Sequence, residues 1–155
     1  MSKSLKRVET ALEAAGIKAD IREVGQARTA AEAAQSAGCH VDQIAKSIIF
    51  RGEESGHIVL FITAGGNRVC ADKASAVAGQ ALGKADAALI RAETGFAIGG
   101  VAPVGHLSEI RSYLDPRLME FDTVWAAAGT PRHIFAIDPK DLHRITGATL
   151  AAFVE

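Results

Sequence analysis

Lys46 is the first residue of the sequence whose position suggests chemistry. It stands in the apolar string QIAKSIIF, residues 43–50, where strand alternation puts it on the same face as Ile44 and Ile48 and opposite Ala45 and Ser47. An ammonium group on an apolar face is costly to bury unless its charge is used or paired. Such a lysine could hold a phosphate or polarise an ester carbonyl. It could equally belong to an edge strand and reach back to water, and the pattern alone favours neither interpretation.

A glycine-rich segment is the second candidate. TGFAIGGVAPVGH, residues 94–106, holds four glycines and a proline, too many for the interior of a helix or strand. Within it, the backbone N–H groups of Gly99-Gly100-Val101-Ala102-Pro103 could approach a ligand closely and cradle an oxyanion or a carbonyl. A tight turn with no ligand would have the same composition.

His133 and the two cysteines are weaker candidates. His133 follows Gly129-Thr130-Pro131-Arg132 at the start of a predicted strand, where it could be a general base, a hydrogen-bond partner or a structural residue. Cys39 and Cys70 could be nucleophiles, but cysteine is more often a small core residue. Five basic residues could form a phosphate-binding rim or be scattered surface charge: Arg28, Arg68, Lys73, Lys84 and Arg91.

Several common motifs do not occur. The sequence has no GxxxxGK[ST], HExxH, CxxC or GxSxG pattern, and its five histidines are scattered. We therefore expect no metal, no cofactor and no conventional serine nucleophile.

Bulk composition limits the possible partners. The chain has 155 residues, 23% of them charged, with a formal net charge of −1, so any contact with nucleic acid must be local and no DNA partner is expected. Two cysteines are too few for a disulfide framework, which predicts reduced thiols and a cytoplasmic location. No apolar run approaches the ~20 residues that span a bilayer, so no membrane association is expected.

The elements that must position these residues are helices and strands in mixed order. Periodicity predicts helices at 3–15, 29–37, 72–79, 86–91 and from Pro139, and strands at 21–24, 45–50, 57–63, 68–70, 110–114, 123–128 and 133–137. Thr29 and Glu32 fit a capping box. We expect a single α+β (mixed α/β) domain over residues 1–155, with a mixed, largely antiparallel or barrel-like sheet flanked by helices.

The order of several segments resembles the YbaK/EbsC family, which also occurs as the inserted editing domain of bacterial prolyl-tRNA synthetases. The similarity runs from TAAEAAQSAG (29–38) through QIAKSIIF and GGNRV (65–69) to the glycine-rich segment, AAAGTPRHIFAI (126–137) and PKDLHRITGA (139–148). The lysine-bearing strand and the GxxxP loop are its specific parts. Cys70 departs from the family, which often has an acidic residue there.

The resemblance implies a deacylase that hydrolyses the ester of a mischarged tRNA, typically tRNA(Pro) carrying alanine, cysteine, serine or 2-aminobutyrate. It implies that Lys46 contacts the substrate end of the tRNA, that the Gly99 backbone contacts the aminoacyl group, and that His133 is a third site position. Gly100, Val101, Ala102, Pro103, Thr29 and Ile98 are then expected to bind substrate, with Ile98, Val101 and Val104 lining the pocket. Prolyl-tRNA synthetase is a further possible partner.

An aminoacyl ester is already activated, so positioning, charge stabilisation and a water or substrate hydroxyl could suffice without an enzyme nucleophile. We expect Lys46→Ala and Gly99→Ala to lower deacylation, the latter by crowding the loop. Two alternatives remain: a non-catalytic nucleic-acid-binding or regulatory module, and an esterase that acts on small molecules without tRNA.

Overall fold

The computed structural model describes residues 2–25 and 27–155. Within these ranges the helices are α1 (Lys3–Ala14), α2 (Ala30–Ala37), α3 (Ala71–Ala78), α4 (Ala87–Thr94) and α5 (Pro139–Thr146). The strands are β1 (Asp20–Glu23), β2 (Ile44–Gly52), β3 (Ile58–Ala64), β4 (Leu82–Lys84), β5 (Arg111–Leu114), β6 (Val124–Ala127), β7 (His133–Ile137) and β8 (Thr149–Leu150). Short 3₁₀ helices cover Val41–Gln43 and Pro116–Glu120.

Side-chain caps explain where several helices begin. The Thr29 hydroxyl accepts a hydrogen bond from the Glu32 N–H at the start of α2, and Asp86 caps α4 in the same way through the Leu89 N–H. The predicted capping box is only half formed, because the Glu32 carboxylate accepts from the Arg28 N–H instead of that of Thr29. At α3 the predicted start is wrong: Asp72 lies in the first turn, and the helix begins after residue 70 without a side-chain cap.

The strands form one mixed sheet in the order β1-β7-β6-β2-β3-β5-β8, with β4 added to β2. Four pairs are antiparallel (β1/β7, β2/β3, β2/β4, β6/β7) and three are parallel (β2/β6, β3/β5, β5/β8). The predicted α+β fold with a mixed, largely antiparallel sheet is confirmed, and the strand order is open and not that of a closed barrel. The predicted strand at 68–70 is reduced to a single bridge between Val69 and Val154.

Strand β2 is the centre of the site-forming region because its second edge is only partly paired. Its first edge pairs with β3 from Ala45 to Arg51. The second edge pairs with β6 at Ile44 and Ala45 and with β4 from Phe50 to Gly52. Between these two partners the edge of β2 at residues 46–49 has no neighbouring strand in the part of the chain described. The sheet therefore opens there.

The core is divided between the two faces of the sheet. Helices α1, α4 and α5 cover one face, where side chains such as Leu12, Ile62 and Phe135 are fully buried. On the other face two smaller clusters form: α2 packs on Ile44, Trp125 and Ile134, and α3 packs around Phe61 and Tyr113. Lys46 lies on this second face between the two clusters.

Candidate functional site

A cavity of about 510 Å³ occupies the opening beside β2. Its lining comes from four parts of the chain: the start of α2, β2 from Ile44 to Ile49, the glycine-rich segment, and β6 with the turn into β7. Most lining residues are apolar, and Trp125 is the largest of them. Every lining side chain with a permanent charge is basic, namely Arg28, Lys46 and Lys84. The cavity is thus an apolar space with a positive lining, in a protein whose formal net charge is −1.

Lys46 is half-buried in the wall of this cavity. It faces the same side of the sheet as Ile44 and Ile48, as strand alternation predicts, and its cross-strand partner is the fully buried Thr63. Its Nζ donates to the Gly65 carbonyl at 3.2 Å. Burial lowers the pKa of Lys46, and the positive charge of Arg68 lowers it further, while Asp115 and Asp42 act in the opposite direction. Strand β2 has partners on both edges, but at Lys46 itself the second edge is unpaired.

The glycine-rich segment contributes only part of what was expected. Ile98, Gly99 and Val101 line the cavity, and Ile98 is 62% exposed, which is unusual for an isoleucine. Gly100 is buried and its N–H donates to the Ala97 carbonyl at 3.1 Å. The remaining predicted contacts lie elsewhere: Ala102 and Val104 are in the main core, and Pro103 faces a different hollow beside α1 and α5.

Crowding at Gly99 is contradicted by the space around it. A β-carbon there would meet no atom within 4 Å, but Gly99 has a φ of +91°, which side chains rarely adopt. At Gly100 the situation is reversed, because a β-carbon would lie 2.8 Å from the Thr130 carbonyl carbon. Backbone strain therefore selects glycine at 99, and close approach to residues 130–131 selects it at 100.

Helix α1 anchors both ends of the glycine-rich segment through Arg7. The Arg7 Nε donates to the Gly105 carbonyl at 2.8 Å, and the guanidinium lies 4.5 Å from the centre of the Phe96 ring. Inside the loop, His106 Nε2 lies 2.7 Å from the Ala102 carbonyl oxygen. Burial lowers the pKa of His106, so the neutral ring is favoured and its Nε2–H donates. Arg7 carries no sequence signal, because it looks like any polar residue of an amphipathic helix.

Ser47 ties the loop to the sheet. Its hydroxyl donates to the Val101 carbonyl at 2.9 Å and so spans the opening beside β2. Strand alternation predicts only that Ser47 faces away from Lys46 and indicates no role for it. The sequence signal for this contact is no more than a hydroxyl in a largely apolar strand.

His133 lies in the cavity wall with Thr130 and Pro131. Its Nδ1 is 2.7 Å from the Thr130 hydroxyl oxygen, and its Nε2 is 3.7 Å from a carboxylate oxygen of Glu23. Both ring nitrogens therefore have protein neighbours. Thr29 also lines the cavity, and its hydroxyl is already engaged in capping α2.

The other candidate residues are dispersed. Neither cysteine lines the cavity. Cys39 packs against the α2 cluster, and burial there raises the pKa of its thiol. The Cys70 N–H donates to the Phe153 carbonyl at 2.8 Å. Of the predicted basic rim, Arg28 and Lys84 reach the main cavity and Arg68 lines an adjoining hollow. Lys73 donates to the Val154 carbonyl, and Arg91 lines none of these spaces.

Two further properties concern the described residues as a whole. Across residues 2–25 and 27–155, no three histidine, cysteine or acidic side chains are grouped so that they could hold a metal ion. No helix in these ranges has the length and apolar character to cross a membrane.

Comparison with known proteins identifies relatives along most of the chain. The model of the aminoacyl-tRNA editing domain matches residues 24–145. The uncharacterized protein YwhH of Bacillus subtilis (strain 168) is 32% identical over 114 residues, which are 74% of this chain and 72% of YwhH. A crystal structure described as a candidate trans-editing enzyme for prolyl-tRNA synthetase is 44% identical, with a TM-score of 0.92 over 100% of this chain and 99% of that one. The hypothetical protein APE2540 is 27% identical, with a TM-score of 0.86 over 96% and 99% of the two chains.

Proposed function

This chain belongs to the aminoacyl-tRNA editing domain family, and from that premise we propose that it hydrolyses the ester bond of mischarged tRNA. The proposed substrate is tRNA(Pro) carrying a small non-cognate amino acid: alanine, cysteine, serine or 2-aminobutyrate. The candidate trans-editing enzyme for prolyl-tRNA synthetase, 44% identical, supports this choice of tRNA and also suggests the synthetase as a partner.

The observation that carries the proposal is the charge of the main cavity. Its permanently charged lining residues are all basic, while most of the remaining lining is apolar. The terminal nucleoside and the ester are uncharged, and the amino group of the aminoacyl group can be cationic. Both are covalently linked to the polyanionic backbone of the tRNA. A local basic lining attracts such a ligand even though the whole protein has a formal net charge of −1.

The volume of the cavity also fits this ligand. About 510 Å³ is more than a small amino-acid side chain occupies and falls within the usual range for a complete small-molecule ligand. We therefore assign the cavity to the terminal adenosine together with the aminoacyl group. Trp125 offers an aromatic surface in the wall, and Ile98 with Val101 would limit the size of the amino-acid side chain.

In the proposed reaction, water adds across the ester. The hydroxyl of the water bonds to the acyl carbon, the acyl–oxygen bond to the ribose breaks, and the ribose oxygen regains a proton. Lys46 would stabilise negative charge that develops on the carbonyl oxygen or hold the substrate end, and the Gly99 backbone would position the aminoacyl group. His133 and Thr130, 2.7 Å apart, would orient a water or a substrate hydroxyl. Thr29 would contact the substrate from the start of α2.

A deacylation assay tests the proposal directly. tRNA(Pro) is charged in turn with proline, alanine, cysteine, serine and 2-aminobutyrate, and release of each amino acid is measured with the wild type, Lys46→Met and Lys46→Ala. Methionine keeps most of the lysine's apolar stem, so Lys46→Met separates the charge from the packing. Lys140→Met, at an exposed position of α5, is the matched control.

We expect release of a non-cognate amino acid that falls by about a hundredfold in both Lys46 variants, the scale for loss of one charge-stabilising group, and not in Lys140→Met. Salt-sensitive tRNA binding without release from any substrate would favour a non-catalytic binding module instead. Equal hydrolysis of simple amino-acid esters with and without tRNA would favour a small-molecule esterase.

A further inference from the structure

A second hollow of about 410 Å³ adjoins the main cavity at Lys46. It lies on the same face of the sheet and is lined by Lys46, Ile48 and Phe50 of β2 and by the turn from Gly65 to Val69. Lys46 and Ile48 belong to the walls of both spaces. A ligand that fills the main cavity can therefore extend past Lys46 into the second hollow.

Two positive charges face the second hollow. Arg68 is exposed, and among the described residues its side chain forms no ion pair. Its charge is near enough to Lys46 to lower the pKa of that ammonium. Two unpaired cations beside one hollow repel each other, and an anion bound between them would relieve the repulsion.

The two carboxylates whose charges act on Lys46, Asp115 and Asp42, already accept other hydrogen bonds and do not line the hollow. Asp115 is buried and accepts hydrogen bonds from the N–H groups of Ala64 and Arg117 and from the Asn67 side-chain amide. Asp42 pairs with the Arg117 guanidinium at 3.1 Å and accepts from the Gly66 N–H. Neither acid forms an ion pair with Lys46 or Arg68 among the described residues.

We propose that the second hollow is a phosphate subsite, in which Arg68 and Lys46 bind the phosphate that joins the terminal nucleoside of the tRNA to the nucleotide before it. The inference rests on the proposed function, since it takes the main cavity as the site of the aminoacylated nucleoside. Arg68 is then a substrate-binding residue outside the main cavity. A planar guanidinium suits this task because it can donate two parallel hydrogen bonds to one phosphate.

The test compares two non-hydrolysable analogues, 3′-alanylamino-3′-deoxyadenosine with and without a 5′-phosphate. Calorimetry measures the affinity of each for the wild type, Arg68→Gln and Arg91→Gln. Arg91 is the matched control because it is exposed and lines neither space. Among residues 2–25 and 27–155, Arg68 takes part in the fold through its backbone carbonyl, which accepts from the Glu155 N–H, and its side chain has no hydrogen bond or ion pair, so Arg68→Gln should fold normally.

We expect the phosphate to strengthen binding to the wild type and to Arg91→Gln by about fivefold, the scale of one solvent-exposed ionic contact. In Arg68→Gln this gain should disappear, while affinity for the phosphate-free analogue stays unchanged. The inference is overturned if the wild type does not prefer the phosphate, if neither analogue binds, or if Arg68→Gln weakens both analogues equally.

The outcome is separable from that of the proposed function. A protein that releases amino acids from tRNA but shows no phosphate preference refutes the subsite alone. A protein that prefers the phosphate but never releases an amino acid keeps the subsite and refutes the deacylase.

Discussion

The adjacent glycines at 99 and 100 should respond in opposite ways to the same pair of substitutions. We consider alanine and asparagine at each position. Gly99 has a φ of +91° and open space around the missing side chain. Gly100 has no positive φ, but a β-carbon would approach the Thr130 carbonyl carbon to 2.8 Å, the Thr130 α-carbon to 2.9 Å and the Pro131 nitrogen to 3.1 Å.

The expected magnitudes follow from these two geometries. Alanine at 99 must adopt a left-handed backbone, which costs about 1–2 kcal/mol, whereas asparagine tolerates that region better. Alanine at 100 would be 0.6 Å closer to the Thr130 carbonyl carbon than the 3.4 Å at which ordinary contact begins. This close contact can be relieved only if the backbone moves, which costs about 1–3 kcal/mol as overpacking does. Asparagine is longer than alanine and should cost more at this position.

Urea denaturation followed by circular dichroism measures the free energy of unfolding of the four variants. At 99 alanine should be less stable than asparagine, and at 100 asparagine should be less stable than alanine. Gly56→Ala is the control for strain, since Gly56 has a φ of +74° with open space around it in the β2–β3 turn. The reasoning is refuted if the two substitutions rank in the same order at both positions.

Three further predictions concern the residues around the loop. Burial lowers the pKa of Lys46 below the ordinary lysine value of 10.5, so as the pH rises the wild type should lose affinity for the phosphate-bearing analogue before an ordinary lysine would lose its charge. Lys46→Arg should keep its affinity over the same pH range. Superimposable curves of affinity against pH for the wild type and Lys46→Arg would contradict this prediction. The pKa of His106 in the folded state lies below the ordinary histidine value of 6.5. As the pH falls below about 6.5, the unfolded state therefore binds more protons than the folded state, and the free energy of unfolding decreases. Urea titrations at pH 5 and pH 7 should show this decrease for the wild type and not for His106→Gln. Ser47→Ala loses the 2.9 Å hydrogen bond to the Val101 carbonyl and should lower the free energy of unfolding by about 1 kcal/mol, with slower deacylation; an unchanged rate would mean that this bond does not position the loop.

Local sequence patterns predict the elements that carry the site. Alternation in QIAKSIIF correctly places Lys46 on one face with Ile44 and Ile48, and the β2–β3 hairpin follows from two apolar runs joined by a polar turn. The short strands β4 and β8 escape prediction because three and two residues contain no readable alternation.

Loop interiors and distant pairings cannot be predicted in the same way. An irregular segment has no period that distinguishes an inward from an outward residue, so Ala102 and Pro103 are expected beside Gly99 in the site but lie outside the cavity. The opening in the sheet depends on β6 pairing with only two residues of β2, Ile44 and Ala45. Neither strand reveals this in its own sequence.

The partial pairing of β2 also has a consequence for the order of folding. The β2–β3 hairpin joins neighbouring segments and can close early. The region of β2 is joined to that of β6 by a contact between residues 80 apart, from Gln43 to Thr123, and to the glycine-rich segment by one between residues 54 apart, from Ser47 to Val101. Contacts over such separations require long loops to close and form late. A chain that has folded its hairpin but not docked β6 and the glycine-rich segment would present Lys46 on an open strand, with no cavity beside it. Substrate recognition would then begin only with the last steps of folding.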